Sequence, residues 1–191
     1  MSSRGVLFLD LDGTIANSGV GITTALNRIF SDAGLAPLTD QEARWILGPA
    51  FQTTMPTLLE RRNTSIERSD EFIHAYRQLY KREYLPHTPI IDGMSEVLDE
   101  LAKLWHLAVV TAKPQSQALI AVQAVDVHHH MVTVVGPEES NPTPKARLLE
   151  RAIREVHDAV GRTFALHECW MIGDRHHDID AAVEVGTHSA C

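Results

Sequence analysis

The chain has 191 residues, 44% hydrophobic and 22% charged, which suits one large domain or a core domain with a smaller insert. Its formal charge of −8 weighs against a nucleic-acid backbone as the main partner, but leaves room for a small anionic ligand, which responds to local charge. Cys169 and Cys191 make no disulfide framework, nothing approaches the length of a membrane span, and the amino terminus lacks a secretory h-region, so a soluble cytoplasmic protein with no membrane partner is expected.

Val6 to Leu9 is a short apolar run that predicts a buried strand, with Asp10-Leu11-Asp12-Gly13-Thr14 following at once. From there to about Pro86 the pattern is helical. Leu26, Ile29, Phe30 and Ala33 recur at helical spacing, and Gly34 suits the stop. Thr39-Asp40-Gln41-Glu42 has the spacing of a capping box, and Gly48-Pro49 breaks the chain. Phe51 to Arg62 and Ile66 to Tyr84 predict two further helices. From Pro89 helices and short apolar runs alternate. A helix over Gly93 to Trp105 precedes a strand over Leu107 to Val110, and a helix starts at Pro114, placed as its first residue. A strand over Val132 to Val135 precedes a helix opened by Thr143-Pro144. Cys169 to Ile172 is the last clear strand, ahead of a short helix through Ala181, Ala182 and Val183. This alternation predicts an α/β fold: a Rossmann-like parallel sheet core over residues 1–15 and 88–191, with an all-helical insert over residues 16–87. An insert leaving just past the first strand would lie over the crevice as a lid.

Four clusters fall at the carboxyl ends of successive strands, where open α/β sheets bind ligands. With period-two alternation Asp10 and Asp12 point to one side, and two carboxylates in one crevice want a cation or a shared proton. A hard ion such as Mg²⁺ fits. The alternative for this pair is a strand-end cap on the next helix. Thr111 follows the second strand, with a hydroxyl and free backbone N–H groups able to seat an anion, and Lys113 beside it adds charge to that seat or faces solvent. Lys145, near the start of a helix, is a fixed cation able to bind phosphate oxygens. Gly173-Asp174-Arg175-His176-His177-Asp178 follows the last strand. Taken singly, Thr111 reads more readily as a cap or turn residue, Lys145 as a solvated lysine and Asp174 as a turn former. Their recurrence at strand ends is what points to a site.

Asp10-Leu11-Asp12-Gly13-Thr14, Thr111, Lys145, and Gly173-Asp174 with Asp178 resemble, in type and order, the four motifs of the haloacid dehalogenase superfamily, and the resemblance covers essentially the whole chain. The helical insert resembles that superfamily's type 1 cap, and Thr88-Pro89-Ile90-Ile91-Asp92-Gly93-Met94 its return to the core. Gly173 to Ile179 and Leu47-Gly48-Pro49 look most like the phosphoglycolate phosphatase branch. The resemblance implies a Mg²⁺-dependent phosphatase acting on a small phosphate monoester. In it Asp10 attacks phosphorus, Asp12 is the acid and base, and Thr111 and Lys145 hold the transferred oxygens. The metal is held by Asp10, the Asp12 backbone carbonyl and Asp174, with Asp178 supporting. A 5'-nucleotidase, a pyrophosphatase, a sugar phosphomutase and a non-catalytic phosphate-binding relative remain alternatives. The acid at Asp12 disfavours dehalogenation, and Lys81, the only cap lysine and late in its helix, disfavours phosphonate hydrolysis.

Weaker features complete the reading. Arg44, Gln52, Tyr76 and Arg77 could touch a leaving group, although a solvated face or an interhelical contact explains them better. His128-His129-His130 reads as a mobile loop before a metal site. His176 and His177 are not assigned as Mg²⁺ ligands, and Cys169 reads as core packing. Relatives continue through another strand and helix where this sequence stops at Cys191. Thr187 to Ala190 is expected to begin a strand too short to complete, from a truncated chain or a stunted sheet edge.

Overall fold

A computed structural model describes residues 4–47, 49, 51–139 and 143–191. The chain divides into two compact units, Met1–Asn17 with Pro89–Cys191, and Ser18–Thr88.

The first unit is built on five parallel strands, β1 (Val6–Leu9), β2 (His106–Val110), β3 (Met131–Val135), β4 (Cys169–Ile172) and β5 (His188–Ala190), in the order β3-β2-β1-β4-β5. β1 is central, pairing Leu9 with Val109 on one side and with Ile172 on the other. The chain builds outward from β1 through β2 to β3, then returns to the opposite side for β4. The switch therefore falls between β1 and β4, and the carboxyl ends of these two strands are where open α/β sheets place their ligand sites. Among the described residues α-helices flank this sheet: α5 (Met94–Ala102), α6 (Gln115–Ala124), α7 (Lys145–Val160) and α8 (His176–Val185). Alternation decides which strand residues meet which helices. Val6, Phe8, Ala108, Val110, Cys169 and Met171 share one buried cluster with Leu148, Leu149, Ala152 and Val156 of α7 and Ala182 of α8.

The second unit is all helical: α1 (Gly19–Asp32), α2 (Asp40–Trp45), α3 (Phe51–Glu60) and α4 (Ser69–Leu79). Gly34 takes φ 69° just past the end of α1, the left-handed turn a helix stop needs. The capping box at α2 forms: Thr39 Oγ1 accepts from the Glu42 N–H at 3.2 Å, and the Thr39 N–H donates to Glu42 Oε2 at 3.0 Å. Glu42 is also buried against Arg62, at 2.9 Å. The same guanidinium donates to the carbonyls of Ala36, Pro37 and Leu58 and lies 4.5 Å over the Phe30 ring. The core of this unit includes Leu26, Phe30, Met55, Leu58, Phe72 and Tyr80, all at most 2% exposed.

The structure revises several boundaries. The helix predicted over Gly93 to Trp105 ends at Ala102, because Leu104 and Trp105 turn back to bond the Leu101 carbonyl. Pro114 is not the first helical residue but caps its helix, as Pro144 does. Both hold ψ 139°, so each helix begins one residue later, with the proline carbonyl accepting its first N–H groups. Ile66 to Tyr84 is not one α-helix. It is a 3₁₀ turn (Ile66–Arg68), then α4, then a π-helical turn (Tyr80–Tyr84). Thr187 to Ala190 does yield a short strand, β5, paired to β4 through Trp170 and His188. His128-His129-His130 forms a 3₁₀ turn. Gly48 of the Leu47-Gly48-Pro49 break lies outside the described residues. Among the described residues no helix is long and apolar enough to cross a membrane.

Candidate active site

The site grows from the end of β1. Beyond Leu9 the chain stops being extended. The N–H groups of Thr14, Ile15 and Ala16 all converge on the Leu11 carbonyl, and Gly13, at φ 88°, bonds the Ala16 carbonyl at 2.9 Å. Leu11, Ile15 and Ala16 are wholly buried and anchor this tight loop. Strand alternation consequently does not carry past Asp10, and the two aspartates turn to different cations. Asp10 Oδ1 lies 2.9 Å from Lys145 Nζ, whereas Asp12 Oδ2 lies 3.0 Å from Lys113 Nζ.

Asp10 is joined by two acids from the end of β4. A carboxylate oxygen from each of Asp10, Asp174 and Asp178 lies within 4.8 Å of the others. Asp178 is completely buried, its Oδ1 in ion-pair contact with Lys145 Nζ and its Oδ2 accepting from the Arg175 N–H at 3.1 Å. Asp174, more exposed, pairs with Arg175 Nε at 2.9 Å. Lys145 is the first residue of α7 and stands between Asp10 and Asp178. Two glycines make the approach possible. A Cβ at Gly13 would sit 2.5 Å from Asp174 Oδ2, and one at Gly173 would overlap Asp178 Oδ2.

Burial, opposed by Lys145 and reinforced by Asp178 and Asp12, pushes the Asp10 carboxyl up to about 6. Asp10 Oδ1, Asp178 Oδ1 and Lys145 Nζ are buried without a hydrogen bond of ordinary geometry, despite their ion-pair contacts. Three carboxylates meet one buried ammonium and one part-exposed guanidinium, all hard oxygen donors on the acid side. This set fits a divalent oxygen-seeking cation such as Mg²⁺.

The residues picked from sequence therefore separate into groups. Asp10, Asp174, Asp178 and Lys145 come together. The Asp12 carboxylate is not part of the acidic trio and turns to Lys113 instead. Lys113, for which solvent was one reading, is 8% exposed and belongs to Asp12. Thr111 is buried at the end of β2, its N–H bonded to the Val135 carbonyl and its hydroxyl accepting from the Lys113 N–H at 3.2 Å. It precedes α6 by several residues, so it is not itself at that helix's first turn. Arg175 was missed as a partner of Asp174; its place in the Gly173–Asp178 run was the available signal. Tyr76 is core, edge-on to Phe51 at 4.5 Å and stacked on Tyr80. Cys169 is buried and its thiol is pushed up to about 11 by that burial, which suits packing and not nucleophilic attack.

A parallel sheet with acids and a lysine at its switch point defines the class. Residues 6–191 match the model of the haloacid dehalogenase-like hydrolases, and the chain belongs to that family. Among curated relatives, the tyrosine-protein kinase PtkA of Mycobacterium tuberculosis is 27% identical over 95% of this chain, which spans 59% of that protein's length. A 5'-nucleotidase of Pseudomonas aeruginosa is 27% identical, covering 94% of this chain and 78% of its own. A phosphoglycolate phosphatase of Agrobacterium fabrum is also 27% identical, covering 91% and 73%. Of solved structures, a haloacid dehalogenase-like hydrolase from Streptococcus pneumoniae superposes with a TM-score of 0.85 at 26% identity, covering 99% of this chain and 84% of that one.

Proposed function

We propose that this chain is a Mg²⁺-dependent phosphomonoesterase that works through a phosphorylated Asp10, on a small phosphorylated metabolite in the cytoplasm. The observation that carries this reading is the acidic trio of buried Asp10, half-buried Asp174 and buried Asp178, with Lys145 set between Asp10 and Asp178. Asp10, the Asp12 backbone carbonyl and Asp174 would hold the ion, with Asp178 holding Lys145 and supporting the site. Bound there, Mg²⁺ supplies neutralisation of the charge shared by phosphate and nucleophile.

The chain's own residues then divide the work. An Asp10 oxygen forms a bond to phosphorus while the bond from phosphorus to the substrate alcohol breaks. Asp12 gives a proton to the departing alkoxide oxygen and is left as the carboxylate. In the second half Asp12 takes a proton from water, whose oxygen bonds phosphorus as the Asp10–phosphorus linkage breaks, returning both aspartates to their starting forms. Lys113, beside Asp12, holds the acid in place between the two halves. Lys145 and Thr111 would steady the transferred oxygens, and positioning of this kind carries most of phosphoryl transfer. The helical unit, inserted in the chain between the Asp10 loop and α5, is the part we expect to set the leaving group as a cap.

Phosphoglycolate is the first substrate to try, from the resemblance of the Gly173–Ile179 segment and the names of several relatives; a 5'-nucleotide follows on the same ground. The test is phosphate release from phosphoglycolate, a 5'-nucleotide, pyrophosphate and a sugar phosphate, with Mg²⁺ or with EDTA, beside Asp10→Asn. Turnover that requires Mg²⁺ and vanishes in the variant is the expected result. A folded, Mg²⁺-binding protein inert toward the whole panel would point instead to a mutase or a binding protein.

A further inference from the structure

At the opposite end of the sheet from the acidic trio, a second group of metal-binding side chains comes together. We propose that Asp99, His129 and His130 form a site for a borderline transition ion, Zn²⁺ foremost, which ties α5 to the approach of β3. One ligand atom from each of the three lies within 4.8 Å of the others. His130 Nε2 is already 3.1 Å from Asp99 Oδ1, and the His130 side chain is only 14% exposed, so its ring is held by packing. The His129 ring lies 4.0 Å from it, centroid to centroid, at a 45° tilt.

The donors choose the ion. Two imidazoles and one carboxylate suit Zn²⁺, with bonds of roughly 2.0–2.2 Å and a fourth position for water, whereas Mg²⁺ prefers the all-oxygen set at the other end of the sheet. The two sets are therefore chemically distinct as well as apart. Strand β3 has Met131, next to His130, at its amino end, while the acidic trio belongs to the carboxyl ends of β1 and β4. A second grouping, Asp126 with His128 and His129, shares His129. A neutral imidazole has one acceptor nitrogen, so His129 serves one ion at a time. The set containing Asp99 has the advantage because it joins two elements and includes the packed ring of His130. The Asp126 set is exposed throughout and bridges only neighbours in sequence.

The experiment is a Zn²⁺ titration of the metal-stripped full chain in saturating Mg²⁺, followed by calorimetry, on wild type, Asp99→Asn, His129→Ala and Asp126→Asn. Asp99 and His129 are exposed, and circular dichroism without Zn²⁺ checks that each variant is folded. One Zn²⁺ bound per chain is expected in wild type and Asp126→Asn, weakened about tenfold or more in Asp99→Asn and His129→Ala. Binding to wild type should also raise its melting temperature. Phosphate release with Mg²⁺ should be unchanged in all three variants. Zn²⁺ retained equally by Asp99→Asn and His129→Ala would place it away from this set and overturn the proposal. Loss confined to Asp126→Asn, or no Zn²⁺ bound by wild type, would overturn it too.

Discussion

Lys145 stands at the first position of α7, where the helix dipole disfavours a cation, and it is buried there between Asp10 and Asp178. Local preference and burial both oppose it, and only the acids offset that cost, so its place is explained by chemistry and not by the helix. Replacing Lys145 with Met should lower kcat by about 10²–10³-fold, the scale seen when a preorganised group facing transition-state charge is lost. Asp12→Asn should cost about 10²–10⁴-fold in steady-state turnover, as for loss of an acid–base group. Asp10 makes a prediction about stability. Its carboxyl is raised from 3.8 to about 6 in the metal-free fold, so the folded state binds the proton more tightly than the unfolded chain. That contribution is fully present below about pH 4 and is lost as pH rises through 6. Without metal, Asp10→Asn should therefore be more stable than wild type at pH 7, with the advantage shrinking toward pH 4 in parallel urea melts. An advantage independent of pH would contradict this.

At the scale of elements, the strand ends are spaced by glycine. Gly173→Ala would press a methyl group onto Asp178, and Gly13, at φ 88°, has both the strain and the close approach of Asp174 against any side chain. Gly173→Ala should impair Mg²⁺ binding and turnover together, read by calorimetry and phosphate release; full activity would argue against a tightly built cradle. In the helical unit, hydrogen bonds from Arg62 and the Thr39 backbone hold the buried Glu42 carboxyl down to about 2. A depressed carboxyl contributes above its unfolded range, near 4.5, and loses that contribution as pH falls toward 2. Glu42→Gln should lower stability at pH 7 by about 1.5–3 kcal/mol, the range for a hydrogen bond to a charged group, and less at pH 2. The Thr39 capping box was legible because its residue types and spacing are the mechanism. Arg62 was not: it closes on Glu42, Ala36 and Pro37 across a turn of the fold that no local spacing encodes. The start at Pro114 was misplaced by one residue for a similar reason, since the ring fixes φ but leaves ψ to the packing of the next turn.

For the whole molecule, alternation of apolar runs with helices was enough to foresee a parallel sheet, because a parallel strand requires a crossover. The order β3-β2-β1-β4-β5 adds what the alternation left open, namely that β1 and β4 are neighbours and hence that Asp10 meets Asp174 and Asp178. The positions of these acids were readable one by one at strand ends. Their pairings were not, because Asp12 turns to Lys113 only after the chain coils around the Leu11 carbonyl. The central claim is that Asp10 itself carries the phosphoryl group. The most direct measurement is to quench the enzyme during turnover of its best substrate, reduce with borohydride and map the peptide that contains residue 10. An acyl phosphate at Asp10 predicts reduction of that one side chain to the alcohol, only with substrate and Mg²⁺. Steady turnover with Asp10 never modified, and with Asp10→Asn still active, would contradict the account.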